Sequence, residues 1–160
     1  MRIAPPILSD IPQLVEIAFE TFGPFYEGYV RSHLGDDIFL HQHRNWQQDY
    51  RNDIPTLHQP GEGRNLAVAK IKDVPVGFVA WKTGTKPFHG EIHLLAVSPR
   101  SRRQNIGREL CDHAIEAMRS AGAEVVEIDT GGDEFHAPAR ALYENLGFTK
   151  IPVAVYLKKI

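Results

Sequence analysis

Apolar positions change their period near residue 65. Before it they recur at helical spacing. In "SDIPQLVEIAFETF", Leu14, Val15, Ala18, Phe19 and Phe22 mark one stripe, so the spacing predicts a helix. Ser9 or Asp10 is placed to cap it and Pro12 suits its first turn. Gly23 and Pro24 are expected to stop it. Residues 25–60 mix polar positions with helical periodicity and predict one or two helices. After residue 65 the period shortens. "NLAVAKI" and "PVGFVAWKT" are β-rich runs joined by the turn-like "KDVP", the pattern of a hairpin. "GEIHLLAV" predicts a third strand.

The helical period then returns. In "IGRELCDHAIEAMRSAG", Ile106, Leu110, Cys111, Ala114, Ile115 and Met118 share a face, and Gly122 ends the helix. "EVVEIDT" predicts a strand, "APARALYENLGF" a short helix closed by Gly147, and "VAVYLKK" a final strand. An antiparallel start followed by β-loop-α-β-α-β predicts an α/β fold: a mixed sheet with helices on both faces.

Composition narrows the function classes. At 160 residues, with 42% hydrophobic and 24% charged residues, the chain reads as one domain, residues 1–160, with a core of ordinary size. A formal net charge of −2 argues against a polycation that coats nucleic acid. One cysteine rules out an internal disulfide and agrees with a reducing compartment. No apolar run reaches the ~18 residues of a membrane span, and "MRIAPPILSD" has no signal pattern. The expectation is a cytoplasmic protein that engages neither membrane nor nucleic acid.

Local charge is another matter. "AVSPRSRRQNIGREL" gathers Arg100, Arg102, Arg103 and Arg108 between a predicted strand and a predicted helix start. A helix N-terminus offers unpaired N–H groups and the positive end of the dipole. Gly107 keeps side chains out of the way, and Asn105 tolerates left-handed backbone. The segment reads as a phosphate or pyrophosphate cradle; the alternative is a solvated basic loop. Neither the "GxxxxGK[ST]" loop nor the dinucleotide fingerprint is present.

"EIHLLAVSPRSRRQNIGREL" resembles the acyl-CoA-binding motif of the GNAT superfamily of N-acetyltransferases, [RQ]-x-x-G-x-[GA] between a strand and a helix. Here it is Arg102-Arg103-Gln104-Asn105-Ile106-Gly107, with Asn105 in place of the first glycine. "ARALYENLGF" resembles the second signature, A-x-x-L-Y-x-x-x-G-F. The resemblance covers residues 66–160 and is compatible with the first helix. It implies a GNAT-like, mostly antiparallel mixed sheet. It also implies acetyl-CoA as co-substrate, no metal, and an amine acceptor that is a small molecule or a peptide or protein N-terminus. In such a fold, N–H groups from Arg102 to Gly107 would hold the CoA pyrophosphate, aided by Arg103 and Arg108. Main-chain groups of Leu95, Ala96 and Val97 would hold the pantetheine arm. His136 stands where the family often places an Asn that contacts CoA. Dimerisation is common in the family and leaves no mark here.

Transfer to an amine needs a base for the amine and an acid for the departing thiolate. Tyr143 resembles the family tyrosine that faces the CoA sulfur; an ordinary phenol, near ~10, suits protonation of a thiolate. Glu91 matches a family glutamate that deprotonates the amine through water. His93, Asp129 or water itself are the alternatives. His41 and His43 lack further partners at metal-site spacing. Cys111 falls on an apolar helix face, as core rather than nucleophile. Phe25, Tyr26, Tyr29 and Trp46 could line an acceptor pocket or be helix core; the acidic pairs at 36–37 and 133–134 carry no assigned role. The rival reading is a non-catalytic acyl-CoA sensor or partner-binding module of the same fold.

Overall fold

The computed structural model describes residues 1–84 and 86–160. The chain runs β1 (Arg2–Ala4), α1 (Ile11–Gly23), α2 (Arg31–His43), α3 (Trp46–Asp53), β2 (Arg64–Ile71), β3 (Val74–Thr83), β4 (His89–Val97), α4 (Ile106–Ser120), β5 (Val125–Ile128) and α5 (Ala137–Asn145). The sheet order is β1-β2-β3-β4-β5. The first four strands are antiparallel and β5 is parallel to β4. The β2–β3 hairpin turns through Lys72 and Asp73, both at positive φ (50° and 64°), which matches the twist of the flanking strands.

The central strands are apolar on both faces because both faces are covered. Leu66, Val68, Phe78, Ala80 and Ala96 pack under α1 with Leu14, Ile17 and Ala18. The alternate residues Ala67, Ala69, Val79, Trp81 and Ile92 pack under α4 with Ile106, Leu110, Cys111, Ala114 and Met118. A third cluster, Val30, Phe39 and Trp46, with Phe19, Tyr26 and Tyr50 against it, holds the helices that follow α1. Trp46 stacks on Tyr26 with centroids 5.0 Å apart.

Gly23 and Pro24 do not stop the first helix. Both keep right-handed helical dihedrals, and Pro24–Val30 continues as a π-helical stretch into α2. Pro24 opens that wider stretch; lacking an N–H, it cannot make the i→i−4 bond back to Glu20. Its Gly23 neighbour lies against Trp46: a Cβ there would come 3.4 Å from the indole. α2 is itself interrupted at Gly35, φ +75°. Nor does Asp10 cap α1 through its side chain. Its carboxylate accepts from the Ile7 N–H at 2.9 Å and meets Lys70 of β2 at 2.7 Å, both side chains only 5% exposed. The buried pair fastens the start of α1 to the sheet.

The expected last strand is absent. Residues 149–160 form no regular structure and lie exposed, with Lys159 reaching Asp37 of α2 at 2.8 Å. A strand exists only by pairing, and this segment lies along none. β5 is also shorter than "EVVEIDT" suggested.

Candidate cofactor and acceptor site

β4 hydrogen-bonds to β3 along its whole length but to β5 only as far as the Ile92–Ile128 pair. At that point β4 carries a bulge. Ala80 pairs with Leu94 and Trp81 with Ile92, leaving His93 as the extra residue. Bulges re-aim side chains and end pairing. From His93 to Val97, β4 therefore runs without a strand on its β5 side. The Val97 carbonyl at its end accepts from the Thr21 hydroxyl of α1 at 3.3 Å.

The chain then turns through residues 98–105. The Ser98 N–H donates to Val76 O at 2.9 Å, and the Ser101 N–H to Ser98 O at 2.8 Å. Arg103 and Asn105 are both left-handed, φ 61° and 62°. Asn105 thus takes the conformation that its amide side chain tolerates best among non-glycine residues. The Asn105 carbonyl accepts from Glu109 N–H to begin α4, and no side chain caps that helix. Its first N–H groups are left for a ligand. The turn borders an open groove of about 440 Å³ lined by Val97, Arg102, Arg103, Asn105, Gly107 and Leu142, among others. A Cβ on Gly107 would stand 3.3 Å from Leu142 of α5, so the glycine lets the two helices approach at the groove.

The four arginines are not equivalent. Arg100 points to Glu20 at 3.8 Å and Arg108 to Asp112 at 3.7 Å. Arg102 and Arg103 are exposed and have no carboxylate partner among the described residues. Two unneutralised guanidinium groups thus flank the uncapped helix start. That is the arrangement an anion needs.

Tyr143, on α5, is 9% exposed and belongs to the α4-side core. Burial, and then its neighbour Cys111, hold its hydroxyl above the usual phenol range. It stays a neutral proton donor. Cys111 is fully buried, and burial pushes its thiol up to about 12; it carries no thiolate at neutral pH. Glu91 lies elsewhere. It pairs across the strands with Lys82 and Glu127, one residue before Ile92, whose side chain is on the Tyr143 face. Alternation therefore puts Glu91 on the other face of the sheet. The bulged His93 approaches it, Nδ1 to Oε1 at 3.6 Å. Tyr143 and Glu91 are not brought into contact. Asp129 directly follows β5, where the strands have parted.

His136 immediately precedes α5, and its surroundings were not legible. Its Nδ1 lies 2.8 Å from Asp133 Oδ2, and its N–H donates to Asp133 Oδ1 at 3.1 Å. Burial alone would raise the Asp133 carboxyl, but the His136 side-chain and backbone hydrogen bonds hold it below the ordinary range. Arg140 closes the loop by donating to Gly131 O at 2.7 Å. A Cβ on Gly131 would overlap the Asp133 carboxylate and His136 Nδ1, so a side chain there would have to displace that pair. The signal for Asp133 was its spacing, three residues before a helix entry, as in a capping residue.

The four aromatics of residues 25–46 divide. Trp46 is core at 5% exposure. Tyr26 stacks on it. Tyr29 is exposed and lies over His33. Phe25 turns toward the site and meets the His136 ring at 4.5 Å. It lies in the π-helical stretch, a form that recurs at functional sites. No cluster of three metal-ligating side chains occurs among the described residues, and no helix of the described residues is long and apolar enough to cross a membrane.

Known proteins share this fold. Residues 16–148 match the model of the acetyltransferase (GNAT) family. A mycothiol acetyltransferase of Beutenbergia cavernae is 45% identical over 100 residues, 62% of this chain and 29% of that relative. The chain thus spans under a third of that protein's length. Two solved structures share the fold. One is a PaiA N-acetyltransferase from Thermoplasma acidophilum in complex with coenzyme A. Its TM-score is 0.71 at 18% identity, with coverage of 92% of this chain and 89% of that one. The other is a GNAT family acetyltransferase from Brucella melitensis in complex with acetyl-CoA. Its TM-score is 0.63 at 17% identity, with coverage of 93% and 82%.

Proposed function

The chain belongs to the acetyltransferase (GNAT) family, and from that premise we propose that it transfers an acetyl group from acetyl-CoA to a primary amine. The acceptor is a small molecule or a peptide or protein N-terminus, attacking directly in a ternary complex. One observation carries the reading: the uncapped start of α4, flanked by unpaired Arg102 and Arg103, opens onto a groove beside the unpaired edge of β4. The chain acts as a single domain, residues 1–160. The cytoplasm, where its lone thiol stays reduced, is its proposed compartment.

N–H groups of Arg102, Arg103, Gln104, Asn105, Ile106 and Gly107 hold the pyrophosphate, with Arg103 and Arg108 adding charge. Main-chain groups of Leu95, Ala96 and Val97 pair with the pantetheine arm as an added strand would. His136, its Nδ1 engaged by Asp133, turns Nε2 to an amide of that arm. The amine nitrogen bonds to the thioester carbon and gives up a proton. Glu91 takes it through water, as its place on the opposite face requires. The C–S bond breaks, and Tyr143 donates its proton to the departing sulfur.

A panel of amines assayed for release of free CoA thiol from acetyl-CoA tests the reading. Amine-dependent thiol release is expected. Binding of acetyl-CoA without turnover on any amine would favour the sensor alternative. Buried Cys111 adds no background, since the folded protein should not react with a thiol reagent at neutral pH.

A further inference from the structure

Two exposed rings on the acceptor side stack outward from Phe25 and not onto the core. Phe25, Tyr29 and His33 recur every four residues, the spacing that puts side chains on one helical face. The Phe25 and Tyr29 centroids lie 6.0 Å apart with planes 13° apart; Tyr29 and His33 follow at 5.8 Å and 6°. Tyr29 and His33 belong to none of the three buried clusters, and Tyr29 is 37% exposed. At its inner end the row meets the loop before α5. Phe25 touches Phe135 at 5.4 Å and His136 at 4.5 Å, and Phe135 touches His136 at 5.2 Å. Space beside the row is open: a Cβ on Gly28 would meet nothing within 4 Å. Free charge is scarce along it. Arg31 donates to Asp36 at 2.7 Å and to Glu27 at 3.0 Å, and Glu27 also accepts from the Trp46 indole at 2.9 Å. Of the carboxylates in residues 24–36 and 133–136, only Glu134 has no partner among the described residues.

We infer that this row is the wall against which the acceptor lies, and that the acceptor is a small amine whose nitrogen sits on a short uncharged chain ending in an aromatic ring. The inference rests on the acetyl-transfer reading above. The nitrogen has to reach the thioester, which the pantetheine arm carries past His136. The body of the acceptor then falls along Phe25, which touches that histidine, and Tyr29, the next ring out. Rings already set nearly parallel accept another ring by offset stacking, and such a pair contributes beyond the apolar area it covers. Other bodies fit the wall less well. A polyamine brings further ammonium groups to a surface whose carboxylates are mostly paired, and a charge stripped of water without a partner is unfavourable. A saturated ring of the same size covers the same area and gains no stacking.

Initial rates of thiol release from acetyl-CoA with 2-phenylethylamine, 2-cyclohexylethylamine and spermidine test this. The kcat/KM for the phenyl amine should exceed that for the cyclohexyl amine about twofold to tenfold, with spermidine lowest. Tyr29→Ala, at an exposed position outside the core, should bring the first two amines to near equality, and Tyr29→Phe should keep the preference. A parent that prefers either other amine, or a preference that survives Tyr29→Ala, would overturn the inference. Binding separates its failure from failure of the transfer reading. Saturation-transfer NMR on the full chain with CoA bound should show the phenyl protons of 2-phenylethylamine against the protein in the parent and in Tyr29→Phe, and the signal lost in Tyr29→Ala. That pattern without thiol release from any amine contradicts the transfer reading alone. Equal signals in the parent and Tyr29→Ala, or none in either, overturn the inference.

Discussion

The two sides of the parting strands are built on different terms. On the cofactor side, α4 buries Ile106, Leu110, Cys111, Ala114 and Met118 on one face, and a turn with two left-handed residues fixes its first N–H groups. On the acceptor side, α2 buries only Phe39 and is interrupted at Gly35; the region is held by an aromatic stack on Trp46. In the proposed reading the first side would bind through main-chain atoms, whose positions a regular core sets. The second would offer side chains such as Phe25, which meets the His136 ring and lies outside the sheet. A ligand that does not vary suits the first kind of site and an acceptor that does suits the second.

The largest effect expected falls where the two sides meet. Tyr143→Phe should lower kcat at least about tenfold, within the ~10²–10⁴ that proton delivery contributes, and leave the KM for acetyl-CoA unchanged. Burial keeps the parent's hydroxyl protonated past the ordinary phenol value of ~10. Turnover with a fixed neutral amine should therefore show no loss from this group's ionisation up to roughly pH 10. Next comes the turn. Asn105→Val places a β-branched residue at φ 62°, a strain of ~1–2 kcal/mol. It should weaken acetyl-CoA binding roughly tenfold, whereas Asn105→Gly should leave binding intact. Arg103→Ala should raise the KM for acetyl-CoA about threefold, by the loss of a charge-assisted contact, and less in high salt. The smallest effect belongs to the acceptor side. Phe25→Ala should raise the amine KM roughly twofold to fivefold, on the scale of one aromatic contact, with acetyl-CoA kinetics unchanged. A Phe25 variant that altered only acetyl-CoA binding would erase the distinction between the sides.

The cofactor side was the legible one because its signals are local. Apolar spacing, a helix-ending glycine and an arginine turn place β4, α4 and α5 within a residue or two. The misses are tertiary. Gly23 and Pro24 carry stop signals, but packing on Trp46 and the helical dihedrals of Pro24 carry the helix through. Residues 153–159 have the pattern of a strand and no strand beside them. Asp133 has no role assigned from the sequence, and only the structure shows it folded onto His136 beside the Gly131 turn. Glu91 and His93 share a strand, as expected, but alternation from Ile92 puts Glu91 across the sheet from Tyr143, and the bulge falls at His93.

The central claim is that the diphosphate of acetyl-CoA sits at the arginine turn between β4 and α4. Calorimetric titration of acetyl-CoA into the full chain, the Asn105→Val variant and an Arg102→Glu/Arg103→Glu variant tests it most directly. The account predicts one site in the parent, weaker binding in Asn105→Val, and none detectable when both arginines are reversed. Parent binding that both variants reproduce unchanged, or no binding by the parent, would contradict it.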